Sequence, residues 1–220
     1  MTTRSGAVLD RLMAILREEL PDQVRVGARL SEMTTYRLGG PAALLVEARS
    51  VADLELISAA LRGTDVDVLV VGRGSNLLVA DEGFWGLVVT VGGFDQLTIS
   101  GRGVVAGGGV PLPVLARRAS AEGVAGLEFY VGIPGTVGGA VYMNAGGHGR
   151  ETASVLEYAD VVELLEGGPV RRMSSESLGF GYRRSALGPC DVVVSAGFHV
   201  TAGEAEDCER RISEIVRWRR

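Results

Sequence analysis

Residues 126 to 147 read GLEFYVGIPGTVGGAVYMNAGG. Six glycines and one proline fall within the sixteen residues from Gly132 to Gly147. Neither a strand nor a helix requires that composition, and an ordinary surface loop would carry more charge. Glycine lets backbone approach a ligand closely because it has no Cβ atom. We therefore interpret the stretch as a loop whose backbone lies against a flat or phosphorylated ligand.

Another glycine-rich loop, at residues 72–76, lies earlier in the chain and is the first glycine loop in chain order. Gly72-Arg73-Gly74-Ser75-Asn76 directly follows VDVLVV (66–71), a run typical of a strand that is buried on both faces. Its backbone N–H groups and the side chains of Ser75 and Asn76 suit an anionic phosphate. The loop is not a Rossmann fingerprint, which has a third glycine opening a helix, nor a P-loop, which needs lysine. A purely structural turn is the alternative interpretation.

The residues before the loop at 72–76 alternate between helix and strand patterns. Apolar residues recur with a helical period from Val8 to Leu20, and Pro21 ends that helix. A strand over 44–48 is followed by Ser50 and Asp53, which have the spacing of a capping box and open a second helix. With the strand at 66–71, this segment is expected to form a βαβ unit.

Beyond Gly86 the pattern changes to short strands with a helix over 111–122 and a last helix from Gly203 to Arg220. We place a subdomain boundary near residues 93–98. The expected organisation is an N-terminal helix (1–20), a first subdomain (21–96) and a second subdomain (97–220). The last helix has no closing strand, glycine or proline after it, so we expect a further C-terminal domain to be absent.

Composition excludes several functional classes. The formal net charge is −5, which argues against a nucleic-acid partner that needs a broad positive field. All 22 basic residues are arginine, so no lysine-dependent mechanism is available. Cys190 and Cys208 form neither a metal-binding pattern nor a disulfide framework, and we expect no metal site. Without a signal peptide or a membrane span, the expected location is the cytoplasm, with no membrane insertion.

Four segments follow one another in a distinctive order: TTYRLGGPA (34–42), VGRGSNLLV (71–79), the stretch 126–147 and LGFGYRRS (178–185). Their order and spacing resemble the UDP-N-acetylenolpyruvoylglucosamine reductases, also called UDP-N-acetylmuramate dehydrogenases. The similarity spans nearly the whole chain. IPGTVGG followed by FGYR separates this family from the wider group of flavin enzymes that share the fold.

The resemblance implies an α+β fold with two subdomains, the FAD-binding fold of the vanillyl-alcohol-oxidase (PCMH) type. FAD is expected to be non-covalent and held between the two subdomains, with its pyrophosphate on both glycine loops. No histidine or cysteine matches a covalent attachment site, and His148 is expected to pack at the cofactor pocket. The implied cofactor-binding residues are Gly72, Arg73, Gly74, Ser75, Asn76, Leu77, Ile133, Pro134, Gly135, Thr136, Gly138, Gly139, Asn144 and Gly146.

The resemblance also implies the chemistry. Arg183 matches the catalytic arginine that contacts the enolpyruvyl carboxylate and stabilises charge developing during hydride transfer, a role that suits a permanently charged guanidinium. Tyr182 is expected to line the same substrate pocket, although its ring could equally serve packing. NADPH would reduce FAD, and reduced FAD would convert UDP-N-acetylglucosamine enolpyruvate to UDP-N-acetylmuramate, a peptidoglycan precursor. The expected partner is thus a small nucleotide-sugar substrate.

One departure limits the resemblance. In the family a third domain supplies a serine that protonates the substrate carbon and a glutamate that completes the acid–base set, and neither motif occurs in these 220 residues. We therefore expect the isolated chain to hold FAD but to be impaired in turnover. Two alternatives stay open: an FAD-dependent oxidoreductase acting on another substrate, and a flavin-binding module without activity of its own.

Overall fold

The computed structural model describes residues 3–101 and 103–218. The chain divides into two compact units. The first comprises Met1–Gly93, Val162–Val170 and Gly188–Val192, and the second comprises Phe94–Val161, Arg171–Leu187 and Val193–Arg220. Two short segments from the expected second subdomain therefore group with the first unit.

The first ninety-three residues carry two helices and four strands: α1 (Thr3–Glu19), β1 (Val24–Arg29), β2 (Pro41–Glu47), α2 (Val51–Leu61), β3 (Val68–Val71) and β4 (Phe84–Thr90). The four strands form one sheet in the order β1-β2-β4-β3. β1 pairs antiparallel with β2, whereas both β2 and β3 pair parallel with β4. The strand–helix–strand arrangement over β2, α2 and β3 is the expected one, with β4 inserted between its two strands.

The insertion of β4 overturns one expectation about β3. The sequence predicts that this strand is buried on both faces, but β3 lies at the sheet edge and Val68, Leu69 and Val70 are only half-buried. β4 is the interior strand instead, and its residues Leu87–Val89 are fully buried. An edge strand has a neighbour on one side only, which leaves part of its surface exposed.

The N-terminus of α2 confirms the predicted cap. The Ser50 side chain accepts a hydrogen bond from the Asp53 backbone N–H at 3.2 Å, and the Asp53 carboxylate accepts one from the Arg49 backbone N–H at 2.8 Å. Two backbone donors at the helix start are thereby satisfied. The buried face of α2 presents Leu54, Ile57 and Leu61.

From residue 94 the remaining elements are β5 (Leu97–Ser100), β6 (Gly103–Gly107), α3 (Leu112–Ala121), β7 (Val124–Ala125), α4 (Val137–Met143), β8 (Gly146–Gly147), β9 (Arg150–Glu151), β10 (Leu156–Glu163), β11 (Arg171–Ser174), β12 (Asp191–His199), β13 (Thr201–Ala202) and α5 (Ala205–Trp218). Five strands form a sheet in the order β11-β10-β12-β6-β5, while β8 pairs with β9 and β13 with β7. Residues 219 and 220 of the predicted last helix lie outside the described residues.

The core of the second unit surrounds a short 3₁₀ helix, Glu128–Gly132. α3 and α5 both pack against this helix. Tyr130 is fully buried in it, stacks on Phe129 and meets Phe198 edge-on. Burial raises the pKa of the Tyr130 phenol above its usual range, and the hydroxyl donates to Thr152 Oγ1 at 3.0 Å.

A polar network crosses one face of the five-stranded sheet. Arg172 of β11 donates two hydrogen bonds to the carboxylate of Asp160 on β10, at 2.8 and 2.9 Å, and Ser195 of β12 donates a third at 2.8 Å. The Arg172 guanidinium also lies 3.7 Å from the centre of the Tyr158 ring. The hydrogen bonds, that from Arg172 first, hold the pKa of Asp160 below its usual range.

Candidate functional site

The first glycine loop follows β3 in the first unit. Gly74 is buried and has φ +57°, and a Cβ atom there would lie 2.1 Å from the Met33 carbonyl oxygen. Its own carbonyl accepts a hydrogen bond from the Thr35 N–H at 3.2 Å. The fold itself therefore requires glycine at position 74. Leu77 packs against the core of this unit, whereas Gly72, Arg73 and Asn76 are exposed.

The second glycine loop lies in the second unit and is more ordered than the sequence indicates. Its residues Val137–Met143 form α4, where the expectation was a loop throughout. The Thr136 hydroxyl caps this short helix by accepting from the Gly139 N–H at 3.3 Å. Sequence reasoning missed α4 because Gly138 and Gly139 are poor helix formers, although threonine before the helix was an available signal.

Backbone hydrogen bonds fix the start of α4 against the segment before α3. The Val137 N–H donates to Val110 O at 3.0 Å, and the Gly138 N–H donates to Gly108 O at 2.8 Å. Gly135, at φ +120°, accepts from the Leu112 N–H at 3.1 Å. These three bonds tie the backbone of the glycine loop to residues 108–112.

The fold does not require glycine at Gly139 or Gly147, and these two positions test whether the site fits FAD. A Cβ atom on Gly139 would meet only Thr136 Oγ1, at 3.6 Å, and one on Gly147 would meet Ile133 at 3.6 Å. Both distances are ordinary van der Waals contacts, and neither residue has a positive φ. Glycine at these positions leaves space for a ligand against the backbone, so the residues present fit a large flat cofactor.

Asn144 ends α4 in the left-handed conformation, at φ +43°. Its side chain is buried and fully engaged with the chain: Nδ2 donates to Gly181 O at 3.1 Å, and Oδ1 accepts from the Ala153 N–H at 2.9 Å. Gly146, two residues on, begins the β8–β9 hairpin. Asn144 thus joins three segments of the second unit.

Tyr182 and Arg183 occupy the tip of a tight turn. Gly181 and Arg184 close it with two backbone hydrogen bonds, of 3.1 and 3.3 Å. Arg183 has φ +55°, which is uncommon for a residue with a side chain and costs about 1–2 kcal/mol. Its guanidinium donates to Gly146 O at 3.2 Å. Strained residues of this kind cluster at functional sites.

An open depression of about 440 Å³ brings part of the predicted site together. Four predicted site residues line it: Asn144, Gly146, Tyr182 and Arg183. Sequence reasoning missed Arg150, Glu151 and Ser154, which line the same depression. An arginine and a glutamate directly after HG in a glycine-rich segment were an available signal. The two arginines, Arg150 and Arg183, outnumber the one carboxylate, Glu151, and the net positive charge suits an anion.

His148 stands at the tip of the β8–β9 hairpin, outside the residues that line the depression. Its ring meets Trp218 edge-on, with 5.3 Å between the ring centres. A Cβ atom on Gly132 would lie 2.8 Å from His148 Nε2, so the imidazole lies beside the start of the glycine loop. The histidine therefore packs against α5.

Both cysteines are free and buried. Burial, together with neighbouring carboxylates, raises the pKa of each thiol, so the reactive thiolate is scarce at neutral pH. Within residues 3–101 and 103–218, no cluster of histidine, cysteine, aspartate and glutamate is arranged to hold a metal ion. No helix in the same residues combines the length and the hydrophobicity that crossing a membrane requires.

Comparison with known proteins identifies the family. The model of the FAD binding domain matches residues 42–174. A UDP-N-acetylenolpyruvoylglucosamine reductase of Halalkalibacterium halodurans is 37% identical over 214 residues, which cover 96% of this chain and 70% of the relative. The chain belongs to the UDP-N-acetylenolpyruvoylglucosamine reductase family. The enzyme of the same name from Rubrobacter xylanophilus is 45% identical over 84% of this chain and 63% of its own length.

Solved structures agree with the family assignment. The crystal structure of UDP-N-acetylenolpyruvylglucosamine reductase from Thermus caldophilus superposes with a TM-score of 0.77 at 36% identity, covering 89% of this chain and 70% of that one. A berberine bridge enzyme superposes with a TM-score of 0.67 at 11% identity, covering 89% of this chain and 44% of that one, which shows the fold alone. The expected α+β FAD-binding fold of the PCMH type is confirmed.

Membership of the reductase family makes this chain a flavoprotein with FAD as its cofactor, as the sequence predicts. The chain spans 70%, 63% and 59% of the length of three curated reductases that it matches. The first glycine loop and Leu77 belong to the first unit, and the other predicted site residues belong to the second.

Proposed function

We propose that this chain is the FAD-binding part of an enzyme that reduces UDP-N-acetylglucosamine enolpyruvate to UDP-N-acetylmuramate with NADPH, a cytoplasmic step in peptidoglycan precursor synthesis. The observation that carries the proposal is the position of Arg183, held in a strained turn at the edge of an anion-suited depression. Family membership supplies the reaction class.

Each unit is proposed to offer cofactor contacts from its own glycine loop. Exposed donors of the first loop, at Gly72, Arg73 and Asn76, are suited to the pyrophosphate. The backbone at Gly139 and Gly147 leaves room for a flat or phosphorylated group. When bound, FAD supplies the redox chemistry by accepting hydride from NADPH and passing it to the enolpyruvyl double bond.

Arg183 is the proposed catalytic residue. Its guanidinium carries five N–H donors, and one of them bonds to Gly146 O. The others can form a fork on the substrate carboxylate and stabilise the negative charge that develops as hydride arrives. Loss of such a preorganised electrostatic group typically lowers the rate by about 10²–10³-fold. Tyr182, 88% exposed at the same turn, is proposed to lie against the substrate.

The protonation step is proposed to need groups outside these 220 residues. The serine and glutamate that the family resemblance implies have no matching motif in the chain. Hydride transfer from NADPH needs chiefly an exposed and oriented flavin ring, whereas substrate reduction also needs the proton donor. We therefore expect the two half-reactions of the isolated chain to separate.

An anaerobic two-step experiment tests the proposal. NADPH is added to the FAD-loaded chain, the flavin absorbance is followed as it bleaches, and the enolpyruvyl substrate is then added. Bleaching followed by slow, substrate-dependent return of the absorbance supports the reductase. Bleaching by another alcohol or sugar, with the absorbance returning when oxygen is admitted but never with this substrate, would indicate a different oxidoreductase. Absence of bleaching would indicate a flavin-binding module.

Substrate binding tests the role of Arg183 separately, because binding does not require the proton donor. Arg183→Ala is expected to weaken binding of the enolpyruvyl substrate by about 10–100-fold, the value of a lost charge-assisted hydrogen bond. Arg184→Ala is the matched control because it removes the same charge from the adjacent residue. Equal affinities of the two variants would remove Arg183 from the substrate site.

A further inference from the structure

The turn that carries Arg183 is held by side chains from outside it. The turn itself contributes two backbone hydrogen bonds, both between Gly181 and Arg184. Its two central residues are exposed, and Arg183 has an unfavourable backbone conformation. A four-residue turn with so few internal bonds does not by itself fix the direction of an arginine side chain.

Asn144 supplies the first external bond. Its Nδ2 donates to Gly181 O at 3.1 Å, while its Oδ1 accepts from the Ala153 N–H at 2.9 Å. The residue is 2% exposed, and both bonds are partly buried. Losing a partner at such a site leaves a buried polar group unsatisfied, which costs more than an exposed bond is worth.

Ser185 supplies a second bond on the other side of the turn. Its Oγ donates to Tyr142 O at 2.8 Å. Tyr142 and Asn144 both belong to the last turn and cap of α4, so the two bonds tie both ends of the Arg183 turn to the same helix end. The Arg183 guanidinium donates to the carbonyl of Gly146, which is two residues after Asn144.

We infer that Asn144 is a positioning residue for Arg183: together with Ser185 it clamps residues 181–184 to the end of α4, and so holds the guanidinium over the depression. This positioning role deepens the proposed function, and the effect of Asn144 on substrate binding rests on that function. The clamp itself rests only on the contacts within the second unit.

Limited tryptic cleavage after Arg183 tests the clamp and needs no measurement of enzymatic activity. Trypsin can cut this chain only after arginine, and brief cleavage in the native state follows the population of locally open forms. Asn144→Asp keeps the acceptor for Ala153 and tolerates the left-handed conformation, but it removes the donor to Gly181. We expect cleavage after Arg183 to rise about fivefold in this variant, relative to cleavage after Arg117 in the same digest.

Serine variants keep the test valid if Asn144→Asp fails to fold. Ser185→Ala is expected to raise cleavage after Arg183 by about threefold. Ser177→Ala is the matched control, because it also removes a serine bond to a carbonyl, that of Ser174 at 2.9 Å. Equal effects of the two serine variants, or cleavage that rises at Arg117 and Arg183 alike, would overturn the clamp.

A double-mutant cycle tests whether Asn144 acts through Arg183. The dissociation constant of the FAD-loaded chain for UDP-N-acetylglucosamine enolpyruvate is measured by calorimetry. Asn144→Asp should weaken binding about tenfold with Arg183 present and less than twofold in the Arg183→Ala background. The same factor in both backgrounds would overturn the positioning role. If the unaltered chain binds no substrate, the proposed function fails, and the tryptic ratios still decide the clamp.

Discussion

Replacing Gly139 by alanine separates the demands of folding from those of cofactor binding. Gly139 is exposed, lies in the first turn of α4, and would place a new Cβ atom 3.6 Å from Thr136 Oγ1. The fold therefore accommodates the methyl group without strain. Glycine in a helix is less favourable than alanine by about 0.5–1 kcal/mol, because it loses more backbone freedom on folding.

The expected result has two parts of opposite sign. For a chain of this size, about 1 kcal/mol corresponds to about 2–4 °C in the unfolding midpoint, so apo Gly139→Ala should unfold about 1–4 °C higher. A methyl group inserted into a close contact typically costs about 1–3 kcal/mol, so the FAD dissociation constant should rise about 5- to 150-fold.

Thermal unfolding of the apo-protein and FAD titration, followed by flavin fluorescence, measure the two effects. Gly6→Ala is the control, since Gly6 lies in α1 and its Cβ would meet nothing within 4 Å. It should raise the midpoint similarly and leave FAD affinity unchanged. Unchanged FAD affinity in Gly139→Ala, with a raised midpoint, would refute the close approach of FAD to this backbone.

Three further predictions concern stability and reactivity. The lowered pKa of Asp160 means that its stabilising contribution is present above the unfolded value of about 3.9 and is lost as pH falls through the folded value. In Asp160→Asn, the free energy of unfolding should therefore fall less between about pH 5 and 3 than in the unaltered chain. An unchanged pH dependence of that free energy, measured by urea unfolding, would contradict the Arg172 pairing. Tyr130→Phe should lower the unfolding midpoint by about 2–4 °C, since one buried hydrogen bond is worth about 1 kcal/mol, and no change would show that this bond contributes nothing. Cys190 and Cys208 should react with a thiol reagent at neutral pH only upon unfolding, and rapid native labelling would contradict their burial.

Local sequence signals predicted those parts of the fold that local chemistry determines. The cap of α2 follows from the spacing of Ser50 and Asp53, and the structure confirms the bond to the Ser50 side chain, while the Asp53 carboxylate accepts from Arg49, one residue before the cap. The edge position of β3 could not be predicted in this way. It depends on β4 entering the sheet between β2 and β3, and such pairing leaves no trace in the periodicity of the strand itself.

In the candidate site, too, some features follow from local sequence and others depend on residues far apart in the chain. Residue types indicated the glycine loops, and the family resemblance indicated Arg183. The positive φ of Arg183 and the bond from Asn144 to Gly181 depend on segments 37 positions apart in the sequence. Gly74 shows the converse, because its glycine is explained by the Met33 carbonyl and not by a ligand. Substitution of Gly74 would disturb folding, and Gly139 is the better probe of FAD.

The most direct test of the account is the binding and release of FAD by the purified chain. The account predicts a yellow protein, or a colourless one that takes up one equivalent of added FAD, with all of the flavin released intact into the supernatant on acid precipitation. Flavin that remains with the precipitated protein would contradict the non-covalent site. A colourless, folded chain that takes up no FAD would contradict the account as a whole.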